Sequence, residues 1–167
     1  MRTGVRLGVD VGSVRVGVAR CDPSGVIATP VTTLARRGKR GGVAEIAGLV
    51  REDSAIEVVI GLPRALDGHE GSSARQARAY AGQVARAVEP VPVRLVDERL
   101  STVAAHRAMH EAGRAGRRHR EVVDQAAAVV ILQSALDAER ATGAPPGEHV
   151  VPARPETGGT MTKEGSP

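Results

Sequence analysis

Apolar and polar positions fall into short blocks along this chain, and their period changes from block to block. Residues 5–11 read as an extended strand that breaks at Gly12-Ser13. Residues 14–19 resume with alternating character, so the two segments form a hairpin. Residues 26–34 are a third extended segment, and Pro30 within it predicts an edge strand. Val43, Ile46, Ala47 and Val50 then recur at helical spacing, with an end near Asp53. Residues 56–60 are a short buried strand, closed by Gly61-Leu62-Pro63. A polar, glycine-rich loop over 67–73 leads into an alanine- and arginine-rich helix over 74–88, which Pro90 and Pro92 stop. Residues 93–96 are another strand. Ser101 or Thr102 caps a helix running to about Ala112. A last helix spans 122 to about 141, with Val123, Ala127, Val130 and Leu132 toward the core.

The order is therefore β-β-β-α-β-α-β-α-α. Antiparallel strands come first, and strands joined through helices follow. Helical crossovers imply parallel pairing, so the expected fold is α/β, with a mixed sheet covered by helices. The periodicity ends at Thr142. Five of the ten prolines lie beyond it, with scattered glycines. The expected division is a folded domain over 1–142 and a disordered tail over 143–167.

Composition narrows the picture. The 167 residues suffice for one domain with a real core. Tyr80 is the only aromatic residue, so the core must be Val, Leu, Ile and Ala. A large interface anchored by Tyr or Trp is disfavoured, leaving a monomer or a small homodimer. The lone Cys21 offers no internal disulfide framework. No apolar run approaches transmembrane length, and the expected location is the cytoplasm.

The net charge is +4 and the pI about 10.2. A charge sum alone does not separate a solvated arginine-rich surface from a footprint for polyanions. Clustering does. Arg36, Arg37, Lys39 and Arg40 form one group, and Arg114, Arg117, Arg118 and Arg120 another. Both fall between periodic segments and read as basic loops suited to a nucleic-acid backbone. Single-strand readers stack bases on aromatic rings, which one tyrosine cannot provide, so duplexes, junctions or duplex-adjacent sites are favoured.

Three acids stand in unusual settings. Asp10 lies within the apolar run Leu7-Gly8-Val9-Asp10-Val11-Gly12. It either bonds turn amides at Gly12 or Ser13 or serves as a metal-bridging carboxylate. Glu98 closes the strand that begins at Val93, where ligand sites collect in open α/β sheets. Strand alternation does not decide between it and Asp97, and Glu98 is preferred. Asp124 falls in the first turn of the last helix, where the dipole alone favours an acid. Ala126, Ala127 and Ala128 would bring that helix close to the sheet and Asp124 near the other two. Converging carboxylates suit two hard divalent ions, Mg²⁺ or Mn²⁺, rather than zinc. His106 and His110 lack an H-E-x-x-H frame.

Four motifs occur in order: residues 7–19, Gly61-Leu62-Pro63, Asp97-Glu98-Arg99-Leu100-Ser101-Thr102, and Val123-Asp124-Gln125-Ala126-Ala127. Together they resemble the YqgF/RuvX family of RNase H-like nucleases over residues 5–140. Gln125-Ala126 departs from an expected Lys-Leu, and the tail is longer. The resemblance implies a five-stranded sheet of order 3-2-1-4-5 with helices on both faces. It implies Asp10, Glu98 and Asp124 as catalytic metal ligands, with Arg15 near a phosphate. It also implies action on structured nucleic acid: maturing the 5′ end of precursor 16S rRNA, or resolving Holliday junctions in branched DNA.

Two rivals remain at this level. Asp10-Val11-Gly12-Ser13 also resembles the phosphate turn of sugar kinases and actin-like ATPases, but those folds need a second RNase H-like half. A non-catalytic module binding nucleic acid would share the basic loops and lack the metal site.

Overall fold

The computed structural model describes residues 1–100 and 117–155. Six strands and three helices are placed: β1 (Arg6–Val11), β2 (Arg15–Cys21), β3 (Ala28–Ala35), α1 (Val43–Glu52), β4 (Glu57–Leu62), α2 (Ser72–Ala87), β5 (Val93–Asp97), α3 (Arg117–Thr142) and β6 (Glu148–His149). A 3-10 turn, Glu98–Leu100, follows β5. The sheet order is β3-β2-β1-β4-β5-β6. β1 pairs antiparallel with β2 and parallel with β4. The expected 3-2-1-4-5 order holds, with a sixth strand added. The helix expected over 101–112 lies outside the described residues.

Strand alternation sorts the side chains into two layers. On one face Leu7, Val9, Val16, Val18, Ile60 and Leu95 pack with α1, α2 and the buried Tyr80. On the other, Ala19, Cys21, Ala28, Val59 and Val96 pack against Ala128, Ile131, Leu132, Ala135 and Leu136 of α3. The buried stripe of α3 is thus 128, 131, 132, 135 and 136, a run at spacings of three and four. It is offset from the expected Val123, Ala127 and Val130, which are half-buried. Asp124 and Glu139 extend this stripe at its two ends.

Glycines let α3 lie almost directly on the sheet. A Cβ on Gly8 would come within 2.6 Å of Leu132 Cβ and 2.8 Å of the Ala128 carbonyl. A Cβ on Gly17 would collide with the backbone of Asp124. Of the three alanines expected to allow this approach, only Ala128 is fully buried; Ala126 is exposed.

A buried ion cluster fixes the far end of α3. Glu139 accepts from Arg2 Nε at 2.8 Å and from Arg6 Nη2 at 3.3 Å. Arg2 Nη2 also reaches Glu57 at 3.1 Å. Arg6, Glu57 and Glu139 are each 2% exposed or less, so their charges persist only because they are paired. The hydrogen bond from Arg2 holds the Glu139 carboxyl down at about 2, whereas burial pushes Glu57 upward.

Two expectations are corrected. The chain beyond Thr142 is not featureless up to 155. β6 pairs with β5, Val150 is buried in the α1/α2 layer, and Ala153 N donates to Gly82 O. Arg94 donates to the carbonyls of Pro146 and Gly147, and Arg78 grips Glu148 at 2.9 Å. Specific pairs hold this segment, and such pairs leave no periodic trace. Residues 156–167 lie outside the described residues. The second correction concerns α3, which already includes Arg117 rather than starting near 122. Arg117, Arg118 and Arg120 are therefore helical rather than in a loop, and Asp124 lies two turns in. The dipole explanation for Asp124 falls away, because that effect is confined to the first turn.

Gly17→Ala should lift α3 from the sheet and lower unfolding free energy by about 2 kcal/mol or more. Gly48→Ala in α1, where only Arg51 Nη2 lies as near as 4.0 Å, should be neutral or stabilising by up to about 1 kcal/mol. Urea denaturation of both variants checks this contrast. Because the Glu139 pKa is depressed in the fold, its contribution is complete above the ordinary carboxylate range and disappears as pH falls toward 2. Glu139→Gln should cost on the order of 3 kcal/mol at pH 7. In a pH series of melts, that gap from the wild type should close in acid.

Candidate active site

The carboxyl ends of β1, β4 and β5 lie at one end of the sheet. Asp10 stands directly across from Gly17 on β2. On its other side, Val9 pairs with Ile60, so the next step brings Asp10 alongside Gly61. Gly61 in turn pairs with Val96 of β5. Asp10 thus has a glycine on each side, and alternation places it on the α3 face with Gly8 and Gly17.

Glu98 fills the space that Gly61 leaves. A Cβ on Gly61 would come within 2.5 Å of Glu98 Oε1, 3.1 Å of its Cγ and 2.6 Å of Ile131 Cδ1. The Glu98 side chain therefore lies over β4, under α3 and one strand from Asp10, a spacing of about 4.8 Å. Burial pushes its carboxyl above the usual range, and the nearby Asp97 charge adds to that.

Asp97 is committed elsewhere. It meets Arg99 Nη2 at 2.6 Å and Arg64 Nη1 at 3.7 Å. Hydrogen bonding from Arg99 holds its carboxyl below the usual range. The two acids are thus placed differently: Glu98 lies against Gly61 and Asp97 against the arginines.

Asp124 is held in a third way. Its backbone rests on Gly17, across from Asp10, while its carboxylate accepts from Arg15 Nε at 2.7 Å. Arg15 is two residues before Gly17 and shares its face. Among the described residues no three His, Cys, Asp or Glu side chains stand close enough to hold one ion. Glu98 lies against Gly61, on the strand next to that of Asp10, and the backbone of Asp124 lies against Gly17, on the strand at its other side. The Asp124 carboxylate rests on Arg15.

The basic residues divide. Arg36 is built into the scaffold: Nη1 donates to Gly12 O at 2.8 Å, and the guanidinium lies 5.3 Å from the Tyr80 ring centroid. Tyr80 in turn donates to Gly41 O at 2.8 Å, which pins the loop carrying Arg37, Lys39 and Arg40. Those three are exposed. They lie at the site end of the sheet, because the loop leaves β3 beside the start of β2, where Arg15 pairs with Ala35. The start of α3 is fastened to the same region: Thr33 Oγ1 donates to Glu121 O at 2.9 Å and accepts from Gln125 Nε2 at 3.1 Å. Arg120 is exposed there, and Arg117 and Arg118 belong to the same end of the helix. Arg114 lies outside the described residues.

Sequence reasoning placed a polar loop over 67–73 after β4 but missed the ion pairs it makes. Glu70 there receives Arg78 at 2.6 Å and Arg64 at 3.4 Å. Arg78 continues to Glu148, so the network links the site rim to β6. Its only trace in the sequence is the arginine that follows Gly61-Leu62-Pro63.

Comparison with known proteins fixes the lineage. The profile of the family described as "RuvX: Holliday junction resolvase" matches residues 4–138. The chain belongs to the RuvX family. That family is one of nucleases. A RuvX relative from Kineococcus radiotolerans is 62% identical over 151 residues, which is 90% of this chain and 80% of the relative. One from a Nocardioides species is 57% identical over 155 residues, covering 90% of this chain and 98% of its own. One from Streptomyces coelicolor is 51% identical over 150 residues, covering 90% of each. All three carry the provisional name pre-16S rRNA nuclease. Among solved structures, T. thermophilus RuvC in complex with a Holliday junction substrate superimposes with a TM-score of 0.59. It is 14% identical and covers 86% of this chain and 99% of its own. That likeness is one of fold, RNase H-like. No helix among the described residues is long and apolar enough to cross a membrane.

A carboxyl whose pKa is raised by the fold favours the protonated protein, so its penalty grows as pH rises through the folded pKa. Glu98→Gln should therefore raise the urea midpoint at pH 8 and leave it nearly unchanged at pH 4. Equal shifts at both pH values would show that burial of the charge is not the cause.

Proposed function

We propose that this chain hydrolyses phosphodiester bonds in structured nucleic acid, using two Mg²⁺ or Mn²⁺ ions held by Asp10, Glu98 and Asp124. The observation that carries the reading is the bare Gly61, whose missing side chain leaves room for the Glu98 carboxylate on the strand next to that of Asp10. Neighbouring half-buried carboxylates repel each other and lose hydration, and a hard cation removes both penalties. The donor set is all oxygen, which suits magnesium or manganese.

Bound ions would supply charge to the scissile phosphate and lower the pKa of the attacking water. Asp10, on the central strand, would face both ions. Glu98 and Asp124 would each hold one side. Arg37, Lys39, Arg40 and Arg120, with Arg114, Arg117 and Arg118, would bind the nucleic-acid backbone and set its register. With water as nucleophile no covalent enzyme intermediate is required.

The substrate we favour is the 5′ end of precursor 16S rRNA, which the names of the relatives support. Holliday junction resolution is the second reading, supported by the description of the family. It would require two symmetric cuts and hence a dimer. A cytoplasmic location fits either substrate.

The test is side-by-side cleavage of a precursor rRNA fragment and a four-way DNA junction, with Mn²⁺ and with chelator. Cleavage of the rRNA fragment is expected only with metal. Asp10→Asn should reduce it at least about a thousandfold while binding stays within about threefold, since a ligand and not a phosphate contact is removed. Full cleavage by Asp10→Asn would end the proposal, and binding without cleavage by the wild type would leave a non-catalytic module.

A further inference from the structure

The two ends of the buried stripe of α3 are each met by arginine, and the two contacts are built differently. At Glu139 two arginines engage both carboxylate oxygens, and Arg6 and Glu139 are almost fully buried. At Asp124 one nitrogen of Arg15 meets one oxygen, with 28% and 20% of the two side chains exposed. A multidentate buried clamp is expensive to open, whereas a single part-exposed pair exchanges readily.

Position adds to this. The backbone of Asp124 is seated on Gly17, directly across from Asp10. The backbone that carries this carboxylate is thus already next to the Asp10 strand position, and the exchange asks only for a new side-chain rotamer. Arg15 stands two residues along the same strand face and holds the carboxylate there.

We infer that Arg15 is the exchangeable counter-ion of Asp124, which holds its carboxylate in the absence of divalent metal and surrenders it when metal binds. The inference rests on the reading of Asp124 as a metal ligand. Arg15 is thus a positioning residue: it keeps a third negative charge from repelling Asp10 and Glu98 before metal arrives. Once released, its guanidinium stays at the rim of the site with its charge available to a phosphate.

Calorimetric titration of the full chain with Mn²⁺, without nucleic acid, tests the exchange. Arg15→Gln should bind Mn²⁺ about fivefold more tightly than the wild type, because no cation has to be displaced. Asp124→Asn should bind it at least about tenfold more weakly. A double-mutant cycle on Arg15 and Asp124, read by urea unfolding, should show coupling in chelator and none in saturating Mn²⁺. Removing a nearby positive charge does not by itself produce that loss.

Coupling of equal size in both conditions would make Arg15 a structural partner and overturn the inference. So would unchanged or weaker Mn²⁺ binding by Arg15→Gln alongside a weakened Asp124→Asn. Should Arg15→Gln fail to fold, Arg15→Lys carries the test: binding tighter than the wild type supports the exchange, and equal or weaker binding refutes it. Unaltered Mn²⁺ binding by Asp124→Asn is a different failure, because it removes Asp124 from the metal site itself.

Discussion

The structure depends on one close approach. A helix of 26 residues lies with its backbone nearly touching a sheet, and only residues without side chains permit that distance. Gly8 and Gly17 supply the space beneath α3, and Gly61 supplies the space that Glu98 and Ile131 share. Ordinary side chains at these positions would open a gap between the layers. The loss would fall first on Ala128 and Leu132, which pack against the sheet at Gly8.

The same constraint explains why an acid can sit in the central strand. Asp10 faces the α3 side of the sheet and is only half-buried, unlike the sealed interior. Val9, one residue earlier, points into the opposite layer and is fully buried. The site is the place where two glycines thin the sheet surface while the helix above presents its own acid. Packing and chemistry share the same residues, so a change at Gly17 or Gly61 would disturb both.

Much of this was legible in the sequence. Strand and helix periods gave the order of β1 to β5, α1 and α2 and the final long helix, and Pro30 marked β3 as an edge. The glycine-flanked Asp10 stood out because a carboxylate in an apolar run needs an explanation. Other features were hidden for physical reasons. β6 is two residues long and is held by side-chain hydrogen bonds from Arg94 and Arg78, which leave no period to read. The different surroundings of Asp97 and Glu98 rest on the missing side chain of Gly61, a feature of three dimensions. The engagement of Asp124 by Arg15 joins residues 109 apart in the chain. Arg36 belonged by composition to a basic loop, yet its partners are a carbonyl and a tyrosine ring.

That tyrosine has an optical consequence. The chain contains no tryptophan and a single tyrosine, so all of its aromatic absorbance and emission arise from one ring. That ring is buried beneath the Arg36 guanidinium, and its hydroxyl is tied to the loop that carries Arg37, Lys39 and Arg40. The protein therefore contains a built-in, label-free reporter whose spectrum follows the seating of this arginine-bearing arm.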